Sequence, residues 1–197
     1  MTTANAIASP LREIAAWIEL ARGKGVAEPE AMALATCSAD GAPSVRFVLC
    51  RGIVDESIRF FTNYDSRKAR ELAVNPRAAA VFHWAVLGRQ ARVEGNVARV
   101  SAADSDAYFA SRARGSQLAS AISPQSRPIA SLEELRERQA ALDAKLKGGR
   151  VPRPEGWGGF EIKATRAELW IAGADRLHDR VSYERVGSEW KALRLGP

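Results

Sequence analysis

The chain has 197 residues, enough for one ordinary domain with a substantial core. A hydrophobic share of 46% and a charged share of 26% exclude a disordered or collagen-like polypeptide. The net charge is +6, and only six of the 29 basic residues are lysine. An arginine-rich excess attracts anions such as phosphorylated small molecules, although a solvated basic surface would give the same totals.

Ser9-Pro10 predicts a helix start, with Leu11, Ile14, Ala15, Ile18 and Ala21 on one face and Gly23 and Gly25 ending it. Strands are expected over 32–37, 44–51 and 58–62, joined by turns at Asp40-Gly41 and near Asp55. In the second, Val45, Phe47 and Leu49 point one way and Ser44 and Arg46 the other. A helix over 66–75 stops at Pro76. Strands over 78–84 and 90–99 follow, then helices over 101–112, 116–122 and 131–147. The end reads as strands over 159–163, 168–172, 181–185 and 190–195. Residues 124–128 and 151–159 read as loops. Short turns join most strands, and helices cluster between strand groups. The fold class is therefore α+β, with antiparallel strands forming a curved or closed barrel flanked by helices. The chain reads as a single domain over 1–197, with residues 1–9 as a flexible N-terminus.

No apolar run approaches a membrane span, and the start lacks the basic-then-apolar pattern of a secretory signal. Cys37 and Cys50 make no disulfide framework and read as reduced core residues, so the expected compartment is cytoplasmic. His83 and His178 are too few and too separated for a histidine metal site, and no metal is expected. The aromatics Phe47, Phe60 and Phe82 fall in strand interiors, which argues against a nucleic-acid surface. The phosphate loop GxxxxGK[ST], the dinucleotide turn GxGxxG, the GxSxG elbow and HExxH are all missing.

Three polar clusters remain. The first is Arg46, Thr62-Asn63 and Ser66-Arg67-Lys68, in which the last run would place two cations, a hydroxyl and the N–H groups of a helix start around an anion. The plain alternative is a capped helix with exposed basic residues. Tyr108, Arg112, Arg114, Ser116 and Gln117 would suit a second phosphate, Tyr108 and Arg112 being one helical turn apart; a surface helix end would look similar. Arg176-Leu177-His178-Asp179-Arg180 packs mixed charge into five positions. His178 could act near neutral pH with Asp179 orienting it, or the run could be a surface salt-bridge knot.

Together with further runs, these clusters resemble the pyridoxine/pyridoxamine 5′-phosphate oxidase family. The runs are Arg46-Phe47-Val48-Leu49, Phe61-Thr62-Asn63-Tyr64-Asp65-Ser66-Arg67-Lys68, Gly88-Arg89-Gln90, Tyr108-Phe109-Ala110-Ser111-Arg112 and Ser116-Gln117. Gln125-Ser126, Val151-Pro152-Arg153-Pro154, Trp157-Gly158-Gly159, Arg176 to Arg180 and Arg194-Leu195-Gly196-Pro197 complete the set. They keep family order from about residue 10 to the end.

The resemblance implies an FMN-binding split β-barrel and a homodimer with FMN at the subunit interface. It also implies oxidation of pyridoxamine and pyridoxine 5′-phosphates to pyridoxal 5′-phosphate, with oxygen as acceptor. Arg46, Arg67, Lys68 and Ser126 would hold the FMN phosphate. Phe47, Val48, Leu49, Phe61, Thr62, Gln90 and Gln125 would line the rest of the flavin, and Trp170 and Arg180 would reach it from the other subunit. Tyr108, Arg112 and Ser116 would grip the substrate phosphate. Arg51 would join them and stand beside the flavin as well. Arg176 and His178 would be the catalytic pair over the pyridine ring. Neither nucleic acid nor membrane is an expected partner.

The sequence departs from the family pattern on the substrate side. Arg51 stands where lysine is usual, Ile171 where glutamine is usual, and Ala113 replaces a common proline. The N-terminal arm that many members fold over the substrate is not expected. A relative that keeps FMN but oxidises another ring, such as a dihydrophenazine precursor, is the alternative; such relatives tend to lose the Tyr-Phe-x-Ser-Arg run. A flavin carrier without catalysis is a further one.

Overall fold

The computed structural model describes residues 9–197. Of the stretch expected to be flexible, residues 1–8 lie outside the described residues. Ser9 is fixed: it is buried, its hydroxyl accepts the Arg12 N–H at 3.3 Å and it donates to Glu56 at 2.8 Å. It caps α1 (Pro10–Gly23), whose Leu11, Ile14, Trp17, Ile18 and Ala21 recur at helical spacing and are buried.

Nine strands form one antiparallel sheet among the described residues. They are β1 (Ala31–Cys37), β2 (Pro43–Leu49), β3 (Ile53–Val54), β4 (Ser57–Asn63), β5 (Arg77–Trp84), β6 (Arg89–Arg99), β7 (Trp157–Ile171), β8 (Asp179–Val186) and β9 (Glu189–Leu195). Their order is β2-β1-β5-β6-β7-β4-β3, with β8 and β9 attached to β7. Four further helices flank the sheet: α2 (Arg67–Val74), α3 (Ala102–Ser111), α4 (Arg114–Ile122) and α5 (Leu132–Leu146). None is long and apolar enough to cross a membrane. This is the α+β arrangement the turns and caps predict.

The sheet forks at β7. On one edge β7 pairs with β6 from Phe160 to Ile171. On the other, residues 157–163 pair with β4 and residues 166–171 with β8. The sequence divides this stretch into two strands, 159–163 and 168–172, whereas the chain runs through as one strand of 15 residues. The physical reason is a bulge: Gly95 faces Ala164 and Glu94 faces Arg166, leaving Thr165 unpaired in register. One extra residue shifts the apolar alternation by one, from Ile162 and Ala164 to Ala167 and Leu169. Two polar residues in succession then look like a break.

The core lies between α1 and the sheet. Trp84 donates its indole N–H to the Pro29 carbonyl, stacks on Phe82 and meets Trp17 edge-on at 6.0 Å. Phe60 and Phe82 are fully buried, as expected for strand interiors. Phe47 is not: it is 77% exposed, and Val45 beside it on the edge strand β2 is 68% exposed. Cys50 joins the core, where burial raises its thiol pKa, whereas Cys37 is half-buried at the end of β1. Both are unpaired.

Gly95 marks where β6 and β7 come closest. A Cβ there would stand 2.1 Å from the Lys163 carbonyl oxygen, inside backbone rather than a yielding side chain. Gly95→Ala should lower unfolding stability by about 1–3 kcal/mol, the usual cost of overpacking. Urea denaturation checks this; an unchanged midpoint would mean that the bulge absorbs a methyl freely.

Candidate active site

One cavity of about 750 Å³ opens between the sheet and α2, α3 and α4, a size typical of small-molecule sites. At one end are Thr62 from β4, Lys68 from α2, and Gln125. Ser66 is the N-cap of α2 but makes no capping bond with its side chain. Its hydroxyl instead accepts from Lys68 Nζ at 3.4 Å, and Thr62 accepts from the same ammonium at 3.0 Å. Thr62 in turn donates to Gln125 Oε1 at 3.0 Å, which the Asn63 N–H also reaches. Lys68 is only 7% exposed. Burial, with the nearby Arg46 charge, lowers its pKa to about 8 against a smaller upward pull from Glu71. A buried ammonium bonded to neutral hydroxyls suits an incoming anion.

The other end is aromatic. Phe61 stacks on Tyr108 at 4.0 Å and on Trp157 at 5.6 Å. Gly159 faces Phe61 across the β4–β7 ladder, and a Cβ there would collide with the ring at 2.7 Å. The glycine is what lets Phe61 lie over the strand. Arg112 lies over Trp157, with its guanidinium 4.8 Å from the ring centroid, and donates to Ser120 at 2.7 Å. Burial and then the Arg51 charge lower the Arg112 pKa, against a rise from Tyr108. Two guanidiniums, a phenol and the Ser116 hydroxyl thus share this end.

The sequence-predicted residues fall into three groups. Phe47, Val48, Leu49, Arg51, Phe61, Thr62, Lys68, Tyr108, Arg112, Ser116 and Gln125 line the cavity. The exposed face of Phe47 is therefore cavity wall. Arg46 and Arg67 are not wall residues; both are bonded to Glu71. Ser126 follows Gln125 with its backbone in the left-handed region, φ 66°.

Gln90, Trp170, Arg176, His178 and Arg180 are absent from the cavity wall and form a second cluster. Gln90 faces Trp170 across β6–β7, and Trp170 faces Arg180 across β7–β8. The His178 ring sits 4.6 Å from Trp170, and its Nδ1 accepts the Gly173 N–H at 3.2 Å. That bond leaves Nε2 as the proton-bearing nitrogen of the neutral ring. Asp179 does not orient His178; it pairs with Arg194. Arg180 is held by Glu168 at 2.9 Å. Asp175 and Arg176 both have left-handed backbone, φ 50° and 64°, a strain that neighbouring structure must maintain.

Two members of the second sequence cluster are structural. Gln117 donates to the carbonyls of Phe109, Ala110 and Arg112, tying off α3. Arg114 binds Asp143 and the Gly149 carbonyl, tying α5 to α4. Arg112 itself lies just past the end of α3, in extended backbone rather than on the helix face. Sequence reasoning missed Trp157 as a wall residue, Ser120 as the partner of Arg112, and Glu71. For Glu71 the available signal was its spacing of four from Arg67.

Comparison with known proteins places this geometry. Residues 18–142 match the family model described as pyridoxamine 5′-phosphate oxidase. Residues 157–197 match the model of the pyridoxine 5′-phosphate oxidase C-terminal dimerisation region. The chain is 48% identical over 188 residues to the pyridoxine/pyridoxamine 5′-phosphate oxidase of Rubrobacter xylanophilus, covering 95% of this chain and 87% of that one. The enzyme of that name from Thermosynechococcus vestitus is 48% identical over 193 residues, covering 98% and 91%. Among solved structures, PhzG from Burkholderia lata in complex with tetrahydrophenazine-1-carboxylic acid superposes with a TM-score of 0.93 at 33% identity, covering 98% and 95%. A pyridoxamine 5′-phosphate oxidase-related, FMN-binding protein from Nostoc punctiforme shares the fold, with a TM-score of 0.78 at 17% identity, covering 96% and 98%. The forked sheet is thus the split barrel that the motif order implies, and the chain belongs to the pyridoxamine 5′-phosphate oxidase family.

Proposed function

We propose that the chain is an FMN-dependent oxidase that converts pyridoxamine and pyridoxine 5′-phosphates to pyridoxal 5′-phosphate with oxygen as acceptor. The observation that carries this is the cavity itself, with a buried cation at one end and a second cationic group at the other. The Lys68 end, with Arg46, Arg67 and Ser126, fits the phosphate of FMN. Phe47, Val48, Leu49, Phe61, Thr62, Gln125 and Arg51 would hold the rest of the flavin. Arg51, Tyr108, Arg112 and Ser116 would bind the substrate phosphate.

When bound, FMN supplies the two-electron oxidation at the substrate carbon bearing the amine or alcohol and passes the electrons to oxygen. The chain's own work is placement. Arg112, braced on Trp157 and Ser120, offers its remaining N–H groups to a phosphate in one orientation. Holding the reacting carbon in place contributes up to about 7–11 kcal/mol in favourable cases. Arg176 and His178 would close over the pyridine ring, with His178 Nε2 as a hydrogen-bond donor.

The second cluster supports a homodimer. Trp157 lines the cavity, whereas Trp170 lies thirteen residues further along the same strand. At roughly 3.3 Å per residue the two are on the order of 40 Å apart. Gln90, Trp170, Arg176, His178 and Arg180 would therefore complete the cavity of a second copy. The matched dimerisation region contains all of these except Gln90.

The deciding experiment is an anaerobic absorbance spectrum of the purified protein before and after adding pyridoxamine 5′-phosphate. The expected result is a yellow protein that bleaches and recovers with oxygen. A yellow protein that bleaches only with an unphosphorylated ring compound would move the function to the dihydrophenazine-type alternative, for which Tyr108, Arg112 and Ser116 are unneeded as phosphate ligands. A yellow protein that no substrate bleaches would be a flavin carrier. Steady-state kinetics separate the two substrate groups. Arg112→Ala should raise KM roughly 10- to 100-fold, as expected for a lost charged hydrogen bond, while Arg176→Ala should keep its flavin and lose chiefly kcat. FMN affinity should also fall above about pH 8, by up to about tenfold per pH unit, as Lys68 loses its proton. Lys68→Ala should bind FMN more weakly and lose that dependence.

A further inference from the structure

Lys68 and Glu71 are the two charged side chains buried among the described residues, and the cavity accounts for Lys68 alone. Glu71 sits on α2 one turn after Arg67 and is 6% exposed. Its Oε1 accepts Arg67 Nε at 2.8 Å. Its Oε2 accepts the Ser44 hydroxyl at 2.6 Å, the Thr36 hydroxyl, and the Arg46 guanidinium at 3.3 Å. Four donors from β1, β2 and α2 thus use about all of a carboxylate's four acceptor sites. Burial raises the Glu71 pKa, but the bonds from Ser44, Thr36 and Arg67 and the Arg46 charge outweigh it and bring it to about 2. The group is therefore a fixed anion rather than a proton carrier.

The two arginines are used in complementary ways. Arg46 spends its terminal nitrogens on Leu34, Thr36, Ser44 and Glu71, leaving Nε. Arg67 spends Nε on Glu71, leaving both terminal nitrogens. Without an anion between them, two guanidiniums on different elements would repel and drift apart. With it, Arg46, Arg67, Lys68 and Glu71 sum to +2, which matches a phosphate dianion.

We infer that Glu71 is a positioning residue for the flavin phosphate: it ties Arg46 on β2 to Arg67 on α2, so that their free N–H groups and Lys68 form one preformed cradle. This rests on the assignment of those three cations to the FMN phosphate. Glu71 touches neither flavin nor substrate and acts through the arginines. A glutamine at 71 keeps one accepting oxygen and turns an N–H₂ toward one of the two guanidiniums, whichever way the amide is placed. A leucine keeps the volume and removes every acceptor.

The test is titration of the flavin-stripped full-length protein with FMN and with riboflavin, which lacks the phosphate, following flavin fluorescence. The wild type should prefer FMN. Glu71→Leu should lose at least about tenfold in FMN affinity while riboflavin affinity stays within about twofold, and Glu71→Gln should fall between. A parallel loss for both flavins in Glu71→Gln, or unchanged FMN affinity in either variant, would overturn the inference. Should Glu71→Leu fail to fold, Glu71→Gln decides alone by the same FMN-to-riboflavin ratio. A wild type that binds riboflavin as tightly as FMN would instead remove the phosphate assignment, and this inference with it.

Discussion

The structure depends on β7 serving three ladders at once. Its edge toward β6 is continuous from Phe160, and its other edge is shared between β4 and β8. A flat strand could not feed two diverging partners. The bulge at Thr165 adds the local bend and twist that lets β4 leave on one side of it and β8 take over on the other. Gly95 is the residue opposite that lets the backbones approach. The cavity and the second cluster meet this strand at its two ends. Trp157 is at one end under the cavity, and Trp170 at the other beside His178. A rigid strand between them forbids one chain from folding its second cluster onto its own cavity. On the proposed reading, a second copy paired through the matched dimerisation region would supply the other half of the site.

The arginine-rich composition acquires a physical meaning at the same time. A solvated basic surface would leave guanidiniums facing water or pairing weakly with neighbouring carboxylates, contacts worth little. Several arginines here do so, as with Arg136 and Glu133 on α5. Others are fixed by more than one partner: Arg46 by four, Arg112 by Trp157 and Ser120, Arg180 by Glu168 and the Gly196 carbonyl. A planar, always-charged fork has five donors in fixed directions, so more of them stay free and aimed when others are held than on a lysine's three-donor ammonium. The single lysine in the cavity wall occupies the buried position where a compact ammonium is ringed by hydroxyls.

Much of this architecture was legible in the residues. Ser9, Ser101 and Ser131 each cap a helix where the sequence predicts one to begin, and the ordered motifs named the family and most of the cavity wall. What was not legible has common causes. The continuity of β7 was hidden because a bulge breaks the alternation on which strand reading depends. The exposure of Phe47 was hidden because period-2 patterning says which residues share a face, never whether a second element covers that face. Glu71 was hidden because an arginine and a glutamate four apart look like any surface pair on a helix. Only the tertiary fold shows that Thr36 and Ser44 close over it. The division of the site into two clusters was implied for Trp170 and Arg180 by resemblance alone, and strand geometry extends it to Gln90, Arg176 and His178.

The substitution of arginine for the usual lysine at position 51 is consistent with this logic. Arg51 follows β2, lines the cavity and pairs with Glu30 at 3.3 Å. Glu30 also approaches Arg22 at the end of α1, at 3.5 Å. A lysine ammonium engaged by Glu30 would spend its point charge there. The guanidinium can leave one N–H on Glu30 and turn others toward a phosphate. Arg51 therefore keeps a cation in the cavity wall while being anchored to Glu30. The Arg51 charge is one cause of the lowered Arg112 pKa, so the two groups already repel. A dianion bound between them would relieve that repulsion, which is why the proposed phosphorylated substrate suits this end of the cavity better than a neutral ring would.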